Sequence, residues 1–150
     1  SRAMLDLADI ARKHYFHPST NGSCSIKKVL PAVMQSSTFL RDTYRHPVYG
    51  AKDGLPSKNF KNVAWWQLAE DEKVLDPYEL LVTVLRDEAE DTLRINQGGA
   101  ASNAYLRLQF ENLPIEERGR IRRDLLRYCE LDTLAMGFIL QSWIQDLSQL

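Results

Sequence analysis

The chain has 150 residues, 44% of them hydrophobic and 26% charged, which excludes a disordered or fibrous protein and suits one domain with a sizeable core. No apolar run approaches the roughly 18 residues that a membrane span needs. The 19 basic and 20 acidic side chains nearly cancel, so any surface for nucleic acid must be local. Cys24 and Cys129 form no metal-ligand cluster, which favours reduced thiols and a cytoplasmic protein.

The N-terminal part is predicted to hold two helices. Residues 2–16, RAMLDLADIARKHYF, carry apolar side chains at helical spacing, and this helix should end before the following His-Pro pair. Ser23 or Ser25 can cap a second, short helix over SIKKVLPAVM, which Pro31 is expected to end or kink.

Glycine and proline punctuate the next segment, at about 35–75, which predicts a long loop or an insertion with some structure of its own. Within it, AWWQLAEDEKVL (64–75) is expected to form a short helix. Residues 98 and 99, a Gly-Gly pair, lack the Lys-Ser/Thr of a phosphate-binding loop. They are interpreted as a helix break at which glycine tolerates a positive φ.

Three helices are predicted in the C-terminal half. Asp76 is a natural N-cap with proline at the first helical position, and that helix should continue to Leu93. A second follows the Gly-Gly pair, and Pro114 begins a long third, which should span at least Ile121 to Trp143. Because almost no segment alternates like a strand, the chain is expected to be mainly α-helical.

The last helix carries a carboxylate on its predicted apolar stripe. That stripe comprises Ile121, Leu125, Cys129, Asp132, Met136, Ile139 and Trp143. Tyr128 lies four residues before Asp132, so their β-carbons should be about 6 Å apart. Burying an acid alone costs several kcal/mol. Asp132 must therefore either bond to a neighbouring segment at the edge of the stripe or bind a metal.

The segment YCELDTLAM resembles the third motif of the DEDD superfamily of 3′–5′ exonucleases, in its tyrosine-bearing branch. Tyr128 and Asp132 take the places of the Tyr-x-x-x-Asp pair, with Cys129 as the small residue between them. GSCSIKKVLP resembles the Ser-Leu-Lys-x-Leu helix that these enzymes carry between their second and third motifs.

The chain is more similar still to an uncharacterised bacterial family, described only as a domain of unknown function and often found downstream of RecB-like nuclease regions. The segments that carry this similarity are MLDLADI, YFHPSTNGSCSIKKVLPAV, DPYELL, GGAASNAYLRL and LLRYCELDTLAM. They cover both ends of the chain and part of its middle, and residues 35–75 match least.

The resemblance implies that the chain is the helical C-terminal portion of an RNase H-like α/β exonuclease fold. Such enzymes use two divalent ions, Mg²⁺ or Mn²⁺, to cleave DNA or RNA. Asp132 would be a metal ligand, and Tyr128 would orient the attacking water. The sequence contains no Asp-x-Glu first motif, and Asp6 matches a position just after the second motif. The chain is therefore expected to be a single domain or fragment with one of four catalytic acids, inactive alone.

Further candidates concern binding. Lys27 and Lys28 can face a phosphate backbone, and Trp65 and Trp66, which lie among lysines, can stack on single-stranded bases. The alternatives are a solvated lysine face and aromatic rings packed into their own domain. If a missing sheet normally covers the apolar stripe, the fragment should self-associate. The alternative function is a non-catalytic helical interaction or scaffold module.

Overall fold

A computed structural model describes residues 6–86 and 95–148, and these residues are mainly helical. The helices are α1 (Leu7–His14), α2 (Ile26–Ser36), α3 (Thr38–Tyr44), α4 (Pro77–Arg86), α5 (Gly98–Phe110) and α6 (Ile115–Leu147), with a 3₁₀ turn at Pro18–Thr20. In these two ranges only isolated β-bridges occur, all between α3 and α4. The expected mainly α chain is confirmed. No helix within the described residues is long and apolar enough to cross a bilayer.

Helix α6 is the element on which the other helices assemble. It has 33 residues, which corresponds to about 50 Å. It packs against α2, α3, α4 and α5, so the core lies around it. The helix begins directly after Pro114. The negative charges of Glu116 and Glu117 in its first turn interact favourably with the positive end of the helix dipole. The prediction of one helix across Ile121 to Trp143 is confirmed.

The buried face of α6 differs in phase from the predicted stripe. Its buried residues are Ile121, Asp124, Tyr128, Leu131, Ala135, Phe138, Ile139 and Ser142. From the predicted stripe, Cys129 is exposed and Met136 is 45% exposed, and Asp132 lies at the edge of the buried face. The buried carboxylate is instead Asp124, at 4% exposure. The helical period was right, but the neighbouring helices cover a face rotated away from the predicted one.

The ends of the first helices follow local chemistry. Asp6 caps α1 by accepting a hydrogen bond from the Ala8 amide at 2.9 Å. Ser25 occupies the N-cap of α2 but makes no side-chain capping bond. Pro31 does not end α2, which continues to Ser36, because the helix loses only one backbone hydrogen bond while its flanking residues stay buried. The start of the predicted first helix, including Met4, lies outside the described residues.

The segment between α2 and α4 has structure of its own, which was one of the two alternatives that the sequence left open. Helix α3 falls inside it, and the Ser37 hydroxyl caps that helix by accepting from the Leu40 amide at 3.3 Å. The helix predicted for 64–75 is absent from the structure. Those residues turn back on themselves, with Leu68 bridged to Val74 and Glu72 at a φ of 61°, which a helix cannot contain.

Helices α4 and α5 begin at their predicted signals. The Asp76 side chain accepts from the Tyr78 amide at 2.9 Å, which confirms the N-cap before Pro77. The predicted continuation of α4 to Leu93 falls on residues outside those described. Gly98 and Gly99 are the first two residues of α5 and have no positive φ, so the helix begins at the glycines and not after them, and the predicted positive φ is wrong.

Candidate functional site

Tyr128 and Asp132 lie one turn apart on α6, as their spacing predicted. Tyr128 is buried, with 6% of its surface exposed, whereas Asp132 is half-buried. Burial raises the pKa of Tyr128 to about 12, and the negative charge of Asp132 and hydrogen bonding to it act in the same direction. The Tyr128 hydroxyl therefore stays protonated at neutral pH and remains a hydrogen-bond donor.

A second tyrosine reaches Asp132 from α4. The Tyr78 hydroxyl donates to Asp132 Oδ1 at 2.6 Å, which is the range of a charge-assisted bond. Burial raises the pKa of Tyr78, and the hydrogen bond and charge of Asp132 raise it further. Tyr78 is therefore held at two points: its backbone amide donates to the Asp76 cap at the start of α4, and its hydroxyl donates to Asp132.

Lys27 closes the cluster from α2. Its Nζ lies 4.2 Å from the ring centroid of Tyr78 and 5.2 Å from that of Tyr128, close enough for cation–π attraction to both rings. The ammonium also donates to the carbonyl oxygen of Asn96. Burial lowers the pKa of Lys27, and the negative charges of Asp132 and Asp76 oppose that shift.

The beginning of α5 approaches the same cluster. A β-carbon at Gly98 would lie 3.9 Å from the Tyr128 hydroxyl oxygen, which is ordinary contact distance. Thus α2, α4 and α5 each bring one residue to the two that α6 supplies, and all five come from segments that carry the family resemblance. The sequence alone did not identify Tyr78, because its partner lies 54 residues away.

The cluster contains too few metal-ligating side chains to hold an ion by itself. Asp132 offers carboxylate oxygens, and Asp76 is a second acid whose charge acts on Lys27. Burial raises the pKa of Asp76, while its bond from the Tyr78 amide opposes the rise. Within residues 6–86 and 95–148, no group of three or more His, Cys, Asp or Glu side chains is arranged to hold an ion. The described residues therefore do not form a metal site by themselves.

The predicted nucleic-acid residues divide between core and surface. Trp65, suggested as a stacking residue, belongs to the core: it has 0% exposure and offers no face to a base. Its ring lies 5.1 Å from that of Phe60 and 6.1 Å from that of Tyr49. Trp66 is half-buried and donates its indole N–H to the Met34 carbonyl at 2.9 Å. Lys28 is exposed.

A second polar cluster fastens the segment between α3 and α4 to α6. Glu130 accepts from the Tyr49 hydroxyl at 2.8 Å, from Asn59 Nδ2 at 2.5 Å and from the Ser57 hydroxyl. Arg127 donates to the Asn59 carbonyl oxygen at 3.1 Å. Burial acts to raise the pKa of Glu130, but the three hydrogen bonds outweigh it and hold the pKa below its ordinary value.

No protein-family model matches the sequence, and neither a curated protein nor a solved structure is significantly similar to the chain. The resemblance to the exonucleases and to the uncharacterised family therefore stays an expectation that the motifs alone carry.

Proposed function

We propose that this chain supplies the C-terminal helical part of a metal-dependent 3′–5′ exonuclease acting on DNA or RNA, with Tyr128 and Asp132 as its third motif. The observation that supports this most is the position of Lys27. It belongs to the SIKKVLP motif near one end of the sequence, yet its ammonium lies 5.2 Å from the ring of Tyr128 in the motif near the other end. Two motifs that the resemblance pairs in sequence are thus neighbours in space.

The residues of this cluster have chemistry suited to such a reaction. Asp132 presents a half-buried carboxylate that can take a divalent ion. If a complete site held two such ions, they would supply activation of the attacking water and stabilisation of the leaving 3′ oxygen. The Tyr128 hydroxyl, protonated at neutral pH because its pKa is about 12, can donate to that water and orient it. Lys27 adds a positive charge that can attract a substrate phosphate.

The test is a nuclease assay on the full-length protein that contains this chain, with Mg²⁺ or Mn²⁺ and a 3′-labelled single strand. Asp132→Asn should reduce turnover by orders of magnitude, and Tyr128→Phe should reduce turnover while leaving metal affinity largely intact. Glu116→Gln, an exposed acid on the same helix, is the control and should be neutral. The 150-residue chain alone should cleave nothing, because one carboxylate cannot hold two ions. Cleavage that persists in Asp132→Asn would overturn the proposal.

A non-catalytic helical module is the second candidate, and one observation favours it. Asp132 Oδ1 already accepts a short hydrogen bond from Tyr78, so this acid has a partner within the chain and does not need an ion to satisfy it. If the full-length protein cleaves no nucleic acid, and no Asp-x-Glu occurs on a strand within one domain length upstream, the module becomes the better description.

A further inference from the structure

We infer that an exposed face on the first half of α6 binds the phosphate backbone of single-stranded nucleic acid. This arginine face comprises Arg118, Arg122 and Arg123, with Gly119 one turn before the last two. The inference rests on the proposed function for the class of its partner, and it deepens that function by naming the surface that holds the strand.

The arginine face carries a concentrated positive charge. Residues 118–127 contain five arginines and one acid, a net charge of +4 in a chain whose net charge is −1. The acid, Asp124, is buried, whereas Arg118, Arg122 and Arg123 are exposed. Arg118 and Arg122 lie four residues apart, and like charges at this spacing destabilise a helix. A bound anion would offset that repulsion.

Arginines elsewhere in the chain are neutralised by acids, and those of this face are not. Arg12 donates to Asp9 at 2.9 Å, and Arg41 donates to Asp42 at the same distance. By contrast, Arg122 has no hydrogen-bond or ion-pair partner among the residues that the structure describes, and its neighbour at position 123 has none either. Both guanidinium groups are therefore available to a partner molecule.

Gly119 indicates that the partner approaches the helix closely. It lies inside α6, where glycine is less favourable than alanine. The fold does not require glycine there, because its φ is not positive and a β-carbon would meet only Arg123 Nη1, at an ordinary contact distance of 4.0 Å. A missing side chain one turn from Arg122 and Arg123 leaves room for the backbone of another molecule.

Nucleic acid fits this face better than an acidic polypeptide or a lipid headgroup. The guanidinium fork of arginine binds a phosphate through two parallel hydrogen bonds. An aromatic ring lies nearby as well: Phe110 is 82% exposed, two residues after the Leu108 carbonyl oxygen to which Arg118 donates at 3.2 Å. Exposed rings beside basic groups stack on the bases of a single strand. The face also leads towards the candidate site, since Arg122 precedes Asp132 by about 15 Å along the helix.

The experiment measures binding of the 150-residue chain to labelled oligo-dT and oligo-U, each of about 20 nucleotides, by fluorescence anisotropy in EDTA at several NaCl concentrations. The double variant Arg122→Gln/Arg123→Gln should bind roughly 10-fold or more weakly, and the slope of log affinity against log salt should shrink by about 1.4, for two lost phosphate contacts. Arg12→Gln/Arg41→Gln, which removes the same charge from paired arginines, should bind within about twofold of wild type. Gly119→Ala should weaken binding severalfold while raising the urea midpoint of unfolding.

The outcomes separate the inference from the proposed function. If the double variant binds like its charge-matched control, or if wild type binds neither strand, the arginine face is overturned, even where Asp132→Asn abolishes cleavage by the full-length protein. Equal binding of polyglutamate or of phosphatidylserine vesicles through the same arginines would also overturn the assignment to nucleic acid. If binding depends on the arginines but the full-length protein cleaves no strand, the arginine face stands and the proposed function fails. The ratio of the oligo-dT and oligo-U affinities shows which sugar the surface prefers.

Discussion

Removing the Glu130 carboxylate should loosen the segment between α3 and α4 from α6. Three side chains from that segment, Tyr49, Ser57 and Asn59, donate to this one acid. Glu130→Ala deletes the carboxylate that accepts all three bonds, and Glu130→Gln keeps the size of the side chain and one carbonyl oxygen. The two variants therefore separate the loss of the whole acceptor group from the loss of one oxygen together with the charge.

The magnitude follows from the bonds. A hydrogen bond to a charged group contributes about 1.5–3 kcal/mol, and a partly exposed acceptor such as Glu130 gives less because water replaces part of each bond. At about 1 kcal/mol a bond, Glu130→Ala should lower the free energy of unfolding by about 3 kcal/mol. For a domain of this size that corresponds to a fall in Tm of roughly 6–12 °C. Glu130→Gln should lose about half as much, since one acceptor remains.

The pH dependence has a definite sign. The pKa of folded Glu130 lies below its ordinary value of 4.5, so its contribution is fully present above that value and is lost as the pH falls through the folded pKa. The stability difference between wild type and Glu130→Gln should therefore be largest at neutral pH and shrink below about pH 4.5.

Thermal and urea unfolding, followed by circular dichroism between pH 3 and 7, would measure these differences. Glu70→Ala is the control: this exposed acid lies in the same segment and has no hydrogen-bond or ion-pair partner among the residues described. Its effect should be within about 0.5 kcal/mol. A Glu130→Ala variant as stable as Glu70→Ala would refute the reasoning that the three bonds fasten the segment.

Three further predictions concern other sites. Gly50→Ala should lower the free energy of unfolding in urea by several kcal/mol, because the new β-carbon would lie 2.2 Å from the Phe60 carbonyl oxygen. Gly22→Ala is the control: its φ is similarly positive but the space around it is open, so it should cost only about 1–2 kcal/mol. Asp76→Ala should cost about 1 kcal/mol for the lost cap of α4, while Asp76→Asn, which keeps the cap, should be nearly neutral; equal losses would contradict this. In an alkaline titration followed by phenolate absorbance, Tyr128→Phe should remove a transition near pH 12, and an unchanged curve would contradict the assignment.

Local chemistry explains which parts of the fold were predictable. The beginnings of α4 and α6 were found because Asp76 and Pro114 act on their own neighbours in the chain. The phase of the buried face of α6 could not be predicted, because it depends on which helices pack beside α6. Hence Asp132, which was placed on the predicted stripe, lies at the edge of the buried face and is bonded to α4, while the structure buries Asp124.

The candidate site shows the same limit. Spacing along one helix placed Tyr128 and Asp132 together, since a helix turn is a local rule. The contact of Asp132 with Tyr78 joins two helices and has no signature in either segment alone. The burial of Trp65 was left open for a related reason: aromatic residues among lysines have the same pattern whether their rings face solvent or the core.

The central position of α6 has a consequence for biosynthesis. The helices that pack on it all precede it in the sequence, so a nascent chain emerging from the ribosome exposes their apolar faces before their common partner has been made. At roughly 5–20 residues per second, the 33 residues of α6 alone take seconds to synthesise. During that interval the earlier helices can only form transient contacts with one another. Stable packing of these helices must therefore await the completed α6.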